Sequence, residues 1–214
     1  MKTGDFAAAV LATCAALTGP APARAAIADA TILSQVDPLV EADGLRTCSL
    51  AFHVLHVDDV HYSGAAVLLA GSVVVGTNKD APVPVMVLRL GVIRLSENGR
   101  EIEQPQSAAP AEAFLGFGEA TNAADFIQKG SDEKSGAALF FFRFGGPSGA
   151  ALGSASADNQ LHFVYGMSTN HLRSSFTVQI DAAKADLSDP SKSEINPKAG
   201  ETLRGCLARL VSGS

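Results

Sequence analysis

The chain has 214 residues, a formal net charge of −6 at pH 7 and a charged fraction of only 18%. An acidic protein repels the phosphate backbone of nucleic acids, so we expect no nucleic-acid partner. The length suits a single well-buried domain, and no sequence repeat with a fixed period is visible.

Residues 1–25 have the composition of a signal peptide. After a positive start, an apolar, alanine-rich run extends from Phe6 to Leu17, and the segment 21–26 offers small residues at the spacing that signal peptidase recognises. We predict cleavage after Ala25 and a periplasmic or secreted location. The longest later apolar run, 64–76, is too short to span a bilayer, so no transmembrane segment is expected after signal removal.

Two other interpretations of this leader remain open. In the first, the leader is a buried N-terminal helix. Gly19 and Pro20 disfavour this interpretation, because they would end a helix at that point. In the second it carries a lipid on Cys14, since residues 11–14 loosely resemble a lipobox, although threonine is a poor residue before that cysteine.

Export determines the chemistry expected of the cysteines. Removal of the leader leaves Cys48 and Cys206, an even pair in an oxidising compartment. Neither belongs to a C-x-x-C motif, so a redox site is not indicated. We therefore predict a structural disulfide between Cys48 and Cys206 that ties the start of the domain to its end.

The apolar pattern from Cys48 onward is that of a β protein. Residues 48–57 and 83–95 carry apolar side chains on both faces of a strand, whereas 175–180 alternate as in a half-buried strand. We predict a mainly β fold, an antiparallel β-sandwich or flattened barrel of about 7–10 strands with one C-terminal α-helix.

The domain organisation follows from the segments around these strands. Residues 26–46 contain Pro38 and a turn signal, which predict an extended N-terminal arm or a short edge strand. Residues 47–214 form a single β-rich domain in this prediction. It ends in an amphipathic helix over 201–211, where the apolar residues recur at helical spacing. Residues 145–157 are small and polar, and we expect a flexible loop there.

The histidines of the segment 47–62 suggest a possible metal site. If Asp58-Asp59 is a two-residue hairpin loop, His56 faces His61 across the strands with Cβ atoms roughly 4.5 to 5.5 Å apart. Two imidazoles with a third ligand from Asp58, Asp59, or the more distant His162 or His171 suit zinc, copper or nickel. The competing interpretation is a solvated strand end, and no cofactor is otherwise predicted.

A hydrolytic interpretation uses His56 or His61 with Asp58 or Asp59 and Ser63 as nucleophile. Neighbours on one hairpin rarely converge in this way, because a triad is assembled from separate elements. No nucleotide-binding, zinc-protease or EF-hand motif occurs in the sequence. We therefore favour an exported, noncatalytic β-rich module that binds an unknown protein or small-molecule ligand or supports an envelope assembly. An exposed apolar edge or patch would distinguish such a binding module from an enzyme or a metal-binding protein.

Overall fold

The computed structural model describes residues 29–42, 44–78, 81–95, 108–116, 125–168, 172–184 and 192–212, without the side chains of residues 81 and 82. The expected signal peptide over 1–25, its cleavage point, Cys14 and His171 lie outside the described residues. Within this part of the chain the strands are β1 (Ala30–Ala42), β2 (Leu45–Asp58), β3 (Ala65–Asn78), β4 (Ala81–Arg94), β5 (Glu112–Leu115), β6 (Phe126–Asp132), β7 (Ala137–Arg143), β8 (Gln160–Gly166) and β9 (Ser174–Gln179). The helices are α1 (Pro147–Asp158) and α2 (Ala199–Ser212).

The strands form two antiparallel sheets. One has six strands in the order β1-β2-β3-β4-β7-β6, and the other has three in the order β5-β8-β9. The predicted mainly β, sandwich-like architecture with a C-terminal helix is confirmed. Hairpin connections join β1 to β2, β2 to β3 and β3 to β4, which explains why these consecutive strands lie side by side.

Strand β1 occupies the segment for which we predicted an extended arm or a short edge strand. It pairs with β2 from Ala30 to Ala42, and its register slips between Asp37 and Val40. Pro38 lies in that slip. A proline is tolerated there because an edge strand with an irregular register does not need its missing N–H.

The core lies between the two sheets, where aromatic rings from both of them meet. The Phe163 and Phe176 rings stack with centroids 4.9 Å apart, and Phe52 of β2 packs on Phe163 at the same distance. Phe52 has room because its partner in β3 is Gly71. A Cβ atom at Gly71 would lie 2.6 Å from Phe52 Cζ and 2.5 Å from the Arg89 carbonyl oxygen.

Helix α2 and the cysteine pair close the sandwich at one side. Leu203, Cys206 and Leu210 are buried on one face of the helix, as the spacing predicts. Cys206 is disulfide-bonded to Cys48 of β2, with their Cα atoms 5.9 Å apart. Neither described helix has both the length and the apolar content needed to cross a membrane.

The expectation of a flexible loop over 145–157 is wrong, because most of this segment is helix α1. Alanine, which recurs in this segment, has the highest helix propensity of all residues. Pro147 lies in the first turn, where the backbone N–H that proline lacks would have no partner within the helix. A buried carboxylate supplies the cap: Asp125 Oδ2 accepts a hydrogen bond from the Ser148 amide at 2.6 Å. That cap comes from a distant part of the chain, so local composition could not reveal it.

Candidate functional site

The predicted metal ligands lie where β2 leaves the large sheet. Strand β2 continues to Asp58, which pairs with Ala65 of β3, and His56 pairs with Val67. The predicted two-residue Asp58-Asp59 turn and the direct pairing of His56 with His61 are therefore wrong. The connection spans residues 59–64, and it ends with positive φ angles at Ser63 and Gly64.

The Asp58 side chain explains the longer connection. Its Oδ1 accepts hydrogen bonds from the amides of Val60 and His61, each at 2.8 Å, so the carboxylate caps its own turn instead of leaving a tight hairpin. Asp59 is exposed at the outside of this turn. No group of three or more His, Cys, Asp or Glu side chains suited to a metal ion occurs among the residues with described positions.

The second oxygen of Asp58 connects the two sheets. Asp58 is 0% exposed, and its Oδ2 accepts a hydrogen bond from the hydroxyl of Tyr165, a fully buried residue of β8. Burial is the main cause that raises the Tyr165 pKa above its ordinary value, and the hydrogen bond to the Asp58 carboxylate adds to it. The tyrosine is therefore held as the neutral donor.

His56 lies on the inward face of β2, between two further polar side chains. Its Nδ1 is 2.7 Å from Asp29 Oδ1, and its Nε2 is 3.0 Å from Ser174 Oγ. Asp29 immediately precedes β1, and Ser174 begins β9, so three separate elements contribute. Asp29 is itself fixed because its Oδ2 accepts the Thr177 amide at 2.6 Å.

Ser174 joins this arrangement to the buried aspartate. Its side chain is hydrogen-bonded to Tyr165, whose hydroxyl also contacts Asp58. A continuous polar chain therefore runs through Asp29, His56, Ser174, Tyr165 and Asp58, and we call it the polar chain. Because Tyr165 gives its hydrogen to Asp58, the single hydroxyl hydrogen of Ser174 points either to the Tyr165 oxygen or to His56 Nε2. When it points to His56, a neutral ring that donates from Nδ1 to Asp29 accepts it at Nε2, which is the arrangement of a general base beside a hydroxyl.

The other residues considered from sequence lie elsewhere. His61 packs on the Tyr165 ring, with centroids 5.5 Å apart, and Ser63 is exposed in the turn. His162 hydrogen-bonds Thr177 through Nδ1 at 2.9 Å and lines a separate cavity of about 300 Å³ beside α1. The Ser174–Phe176 alternation was the available signal that Ser174 faces inward, but nothing in the sequence indicated Asp29 as a partner of His56.

The outer face of the six-stranded sheet is a second candidate site. Here the side chains point away from the three-stranded sheet and the helices, and apolar residues from neighbouring strands are in register. One row consists of Leu55, Leu68 and Ile93, and the other of Val74, Val87 and Phe141. These side chains are partly exposed, because in the described part of the chain no helix or strand packs over them. We call this surface the outer sheet face.

A groove and a polar row complete the outer sheet face. The groove, of about 260 Å³, is lined mainly by apolar residues that include Val74, Gly76 and Val87, and Val83 in the same lining is 65% exposed. Between the two apolar rows, Ala51, Ser72 and Arg89 are in register. Arg89 donates to Asp132 at 3.1 Å, so the charge at the centre of the face is paired.

Comparisons with protein-family models, with curated proteins and with solved structures found no match for this chain. The geometry of the polar chain and of the outer sheet face therefore carries the functional argument.

Proposed function

We propose that this protein is an exported binding module that acts through the outer sheet face, and that its partner is the same face of a second copy. The observation that carries the proposal is the pair of in-register apolar rows on a partly exposed surface. Exposed apolar patches on soluble proteins often mark an interaction site, and the two rows bring six apolar side chains to one surface.

The size of the outer sheet face supports a stable contact. Strands β2, β3 and β4 each have 14 residues, and β7 adds 7 more beside them. With strands about 4.8 Å apart and a rise of about 3.3 Å per residue, the face covers roughly 750 Å². A contact that used this whole footprint, with its polar rows included, would be about the size of a standard protein interface, to which each partner contributes roughly 800 Å².

A second copy fits the chemistry of the surface. In a twofold dimer the same patch meets itself, so each apolar row finds another apolar row across the interface. Two sheets pack face to face with their strands roughly 30° apart, and the layers lie about 10 Å from one another. The central Arg89–Asp132 pairs contribute both signs of charge, which permits exchange of ion pairs between the copies.

Export supports an assembly role outside the cytoplasm. The cysteine pair is disulfide-bonded, which is compatible with an extracellular location. From this bond and the expected signal peptide, we assign the mature protein to the periplasm or the secreted fraction. The dimer would serve an envelope or extracellular assembly there.

The proposal is tested by sedimentation velocity of the mature chain across a range of concentrations. Val87→Glu places a charge in the centre of an apolar row, and Val211→Glu makes the same change at a 61% exposed position on α2. We expect the wild type and Val211→Glu to dimerise and Val87→Glu to remain monomeric. Val87→Thr, which keeps a β-branched side chain, should weaken the dimer without loss of the fold.

Monomers at every wild-type concentration would contradict the proposal, as would equal dimerisation of the two glutamate variants. Circular dichroism of each variant establishes that the sheet is retained before the sedimentation result is interpreted.

A further inference from the structure

Beyond the binding role and independently of it, we propose that Asp29, His56 and Ser174 form an acyl-transfer site that takes small carboxylic esters, with Ser174 as nucleophile, His56 as general base and Asp29 as the group that orients His56. His56 also belongs to the hydrolytic set considered from sequence, but its partners there were Asp58 or Asp59 and Ser63. The fold instead brings Asp29 and Ser174 to this histidine.

The distances and the choice of nitrogen atoms carry the inference. His56 Nδ1 lies 2.7 Å from the Asp29 carboxylate, and His56 Nε2 lies 3.0 Å from the Ser174 hydroxyl. A serine triad needs the carboxylate on one ring nitrogen and the nucleophile on the other, with both contacts at hydrogen-bond distance. The three residues come from three separate elements, as assembled triads do.

The surroundings hold the three side chains in place. The Thr177 amide donates to the other oxygen of Asp29, at 2.6 Å, and therefore fixes the carboxylate that orients the ring. The His56 ring packs against Phe176, with centroids 6.3 Å apart. His56 and Ser174 are 8% and 7% exposed, so little water competes for the histidine, and the Asp29 side chain is 19% exposed at the end of the sandwich.

The reaction balances with these groups and water alone. Ser174 Oγ forms a bond to the ester carbonyl carbon, and its proton passes to His56 Nε2. The bond from that carbon to the alcohol oxygen then breaks, and the leaving alcohol takes the proton from His56. Water attacks the resulting acyl-serine with His56 again accepting a proton, the carbon–Oγ bond breaks, and the proton returns to Ser174.

Ser174 is only 7% exposed and also hydrogen-bonds Tyr165, which limits the substrate class. A small acyl group suits a serine with so little exposed surface, and a good leaving group departs with little assistance. We therefore expect activated aryl esters to acylate Ser174 and peptides to be inert.

The test uses a fluorophosphonate probe on the mature chain with its disulfide intact, followed by mass spectrometric localisation. The probe should form a phosphorus–oxygen bond to Ser174 with loss of fluoride. His56→Gln and Asp29→Asn should each slow labelling by at least about 100-fold. Ser175→Ala, a change at the exposed neighbouring serine, should leave the rate unchanged.

A purely structural polar chain would give a different result. The proposal is overturned if the folded wild type acquires no adduct at Ser174, a measurement that requires no variant. It is equally overturned if folded His56→Gln is labelled there as fast as the wild type. A p-nitrophenyl acetate burst that disappears in Ser174→Ala would support the same assignment through a second readout.

Discussion

The hydroxyl of Tyr165 on β8 donates to the buried carboxylate of Asp58 at the end of β2, and this hydrogen bond joins the two sheets. The other carboxylate oxygen of Asp58 accepts hydrogen bonds from two backbone amides of the turn. One carboxylate therefore holds both the turn and the contact between the two sheets. A buried carboxylate with several donors is stable only while each donor stays in place.

This contact predicts a loss of stability at alkaline pH. Because the Tyr165 pKa is raised in the folded state, mainly by burial, the folded protein keeps a proton that the unfolded chain releases above about pH 10. The stabilisation is complete below that pH, and the free energy of unfolding then falls by at most about 1.4 kcal/mol per pH unit. Urea unfolding of the wild type between pH 8 and pH 11 measures the slope.

Tyr165→Phe tests the assignment of that slope. The variant should lose about 1–3 kcal/mol at pH 8, because a buried acceptor loses its donor, and its stability should vary much less above pH 10. Tyr62→Phe is the matched control, since Tyr62 lies in the same turn region and its pKa is also raised, but less of its surface is buried. An alkaline slope that survives unchanged in Tyr165→Phe would show that another group causes it.

The bond between Cys48 and Cys206 should provide a large share of the stability. It closes a separation of 158 residues, for which the chain-entropy description gives up to about 5 kcal/mol. Cys48→Ala/Cys206→Ala should therefore unfold at a much lower urea concentration than the oxidised protein. Two thiols found by alkylation of the unfolded, unreduced mature chain would refute the bond.

Gly71 should not tolerate even one additional carbon. The Cβ atom of Gly71→Ala would meet the Phe52 ring and the Arg89 carbonyl oxygen within 2.6 Å, and such overpacking costs about 1–3 kcal/mol. Gly153→Ala is the control, because nothing lies within 4 Å of a Cβ atom there and alanine strengthens the middle of a helix. Thermal unfolding should show a lower Tm for the first variant and a higher Tm for the second, and a reversed order would contradict this packing.

The sequence was sufficient for those features that depend on local pattern. Alternation around Phe52 and Phe176 predicted strands, and the spacing of Leu203, Cys206 and Leu210 predicted the terminal helix. The cysteine pair followed from the expected compartment. Each of these inferences needs only the periodicity of the chain or the chemistry of one residue type.

Features that depend on distant partners could not be predicted in the same way. Asp58 forms its longer turn by binding its own backbone amides, and Asp29 meets His56 only after β1 has joined the sheet. Helix α1 depends on a cap from Asp125. Apolar side chains on both faces of β2 and β4 predicted that both faces are buried. Only the inward face is buried, and the other is the partly exposed outer sheet face.

The most direct test of the proposed binding role is a distance between two copies of the protein. A nitroxide attached through Ser72→Cys lies in the central row of the outer sheet face, and one attached through Val211→Cys lies on α2. Pulsed electron paramagnetic resonance of the dimer should give an intermolecular distance below about 25 Å for position 72, because packed sheets lie about 10 Å apart. A longer distance for position 72 than for position 211, or no intermolecular coupling at all, would contradict the account.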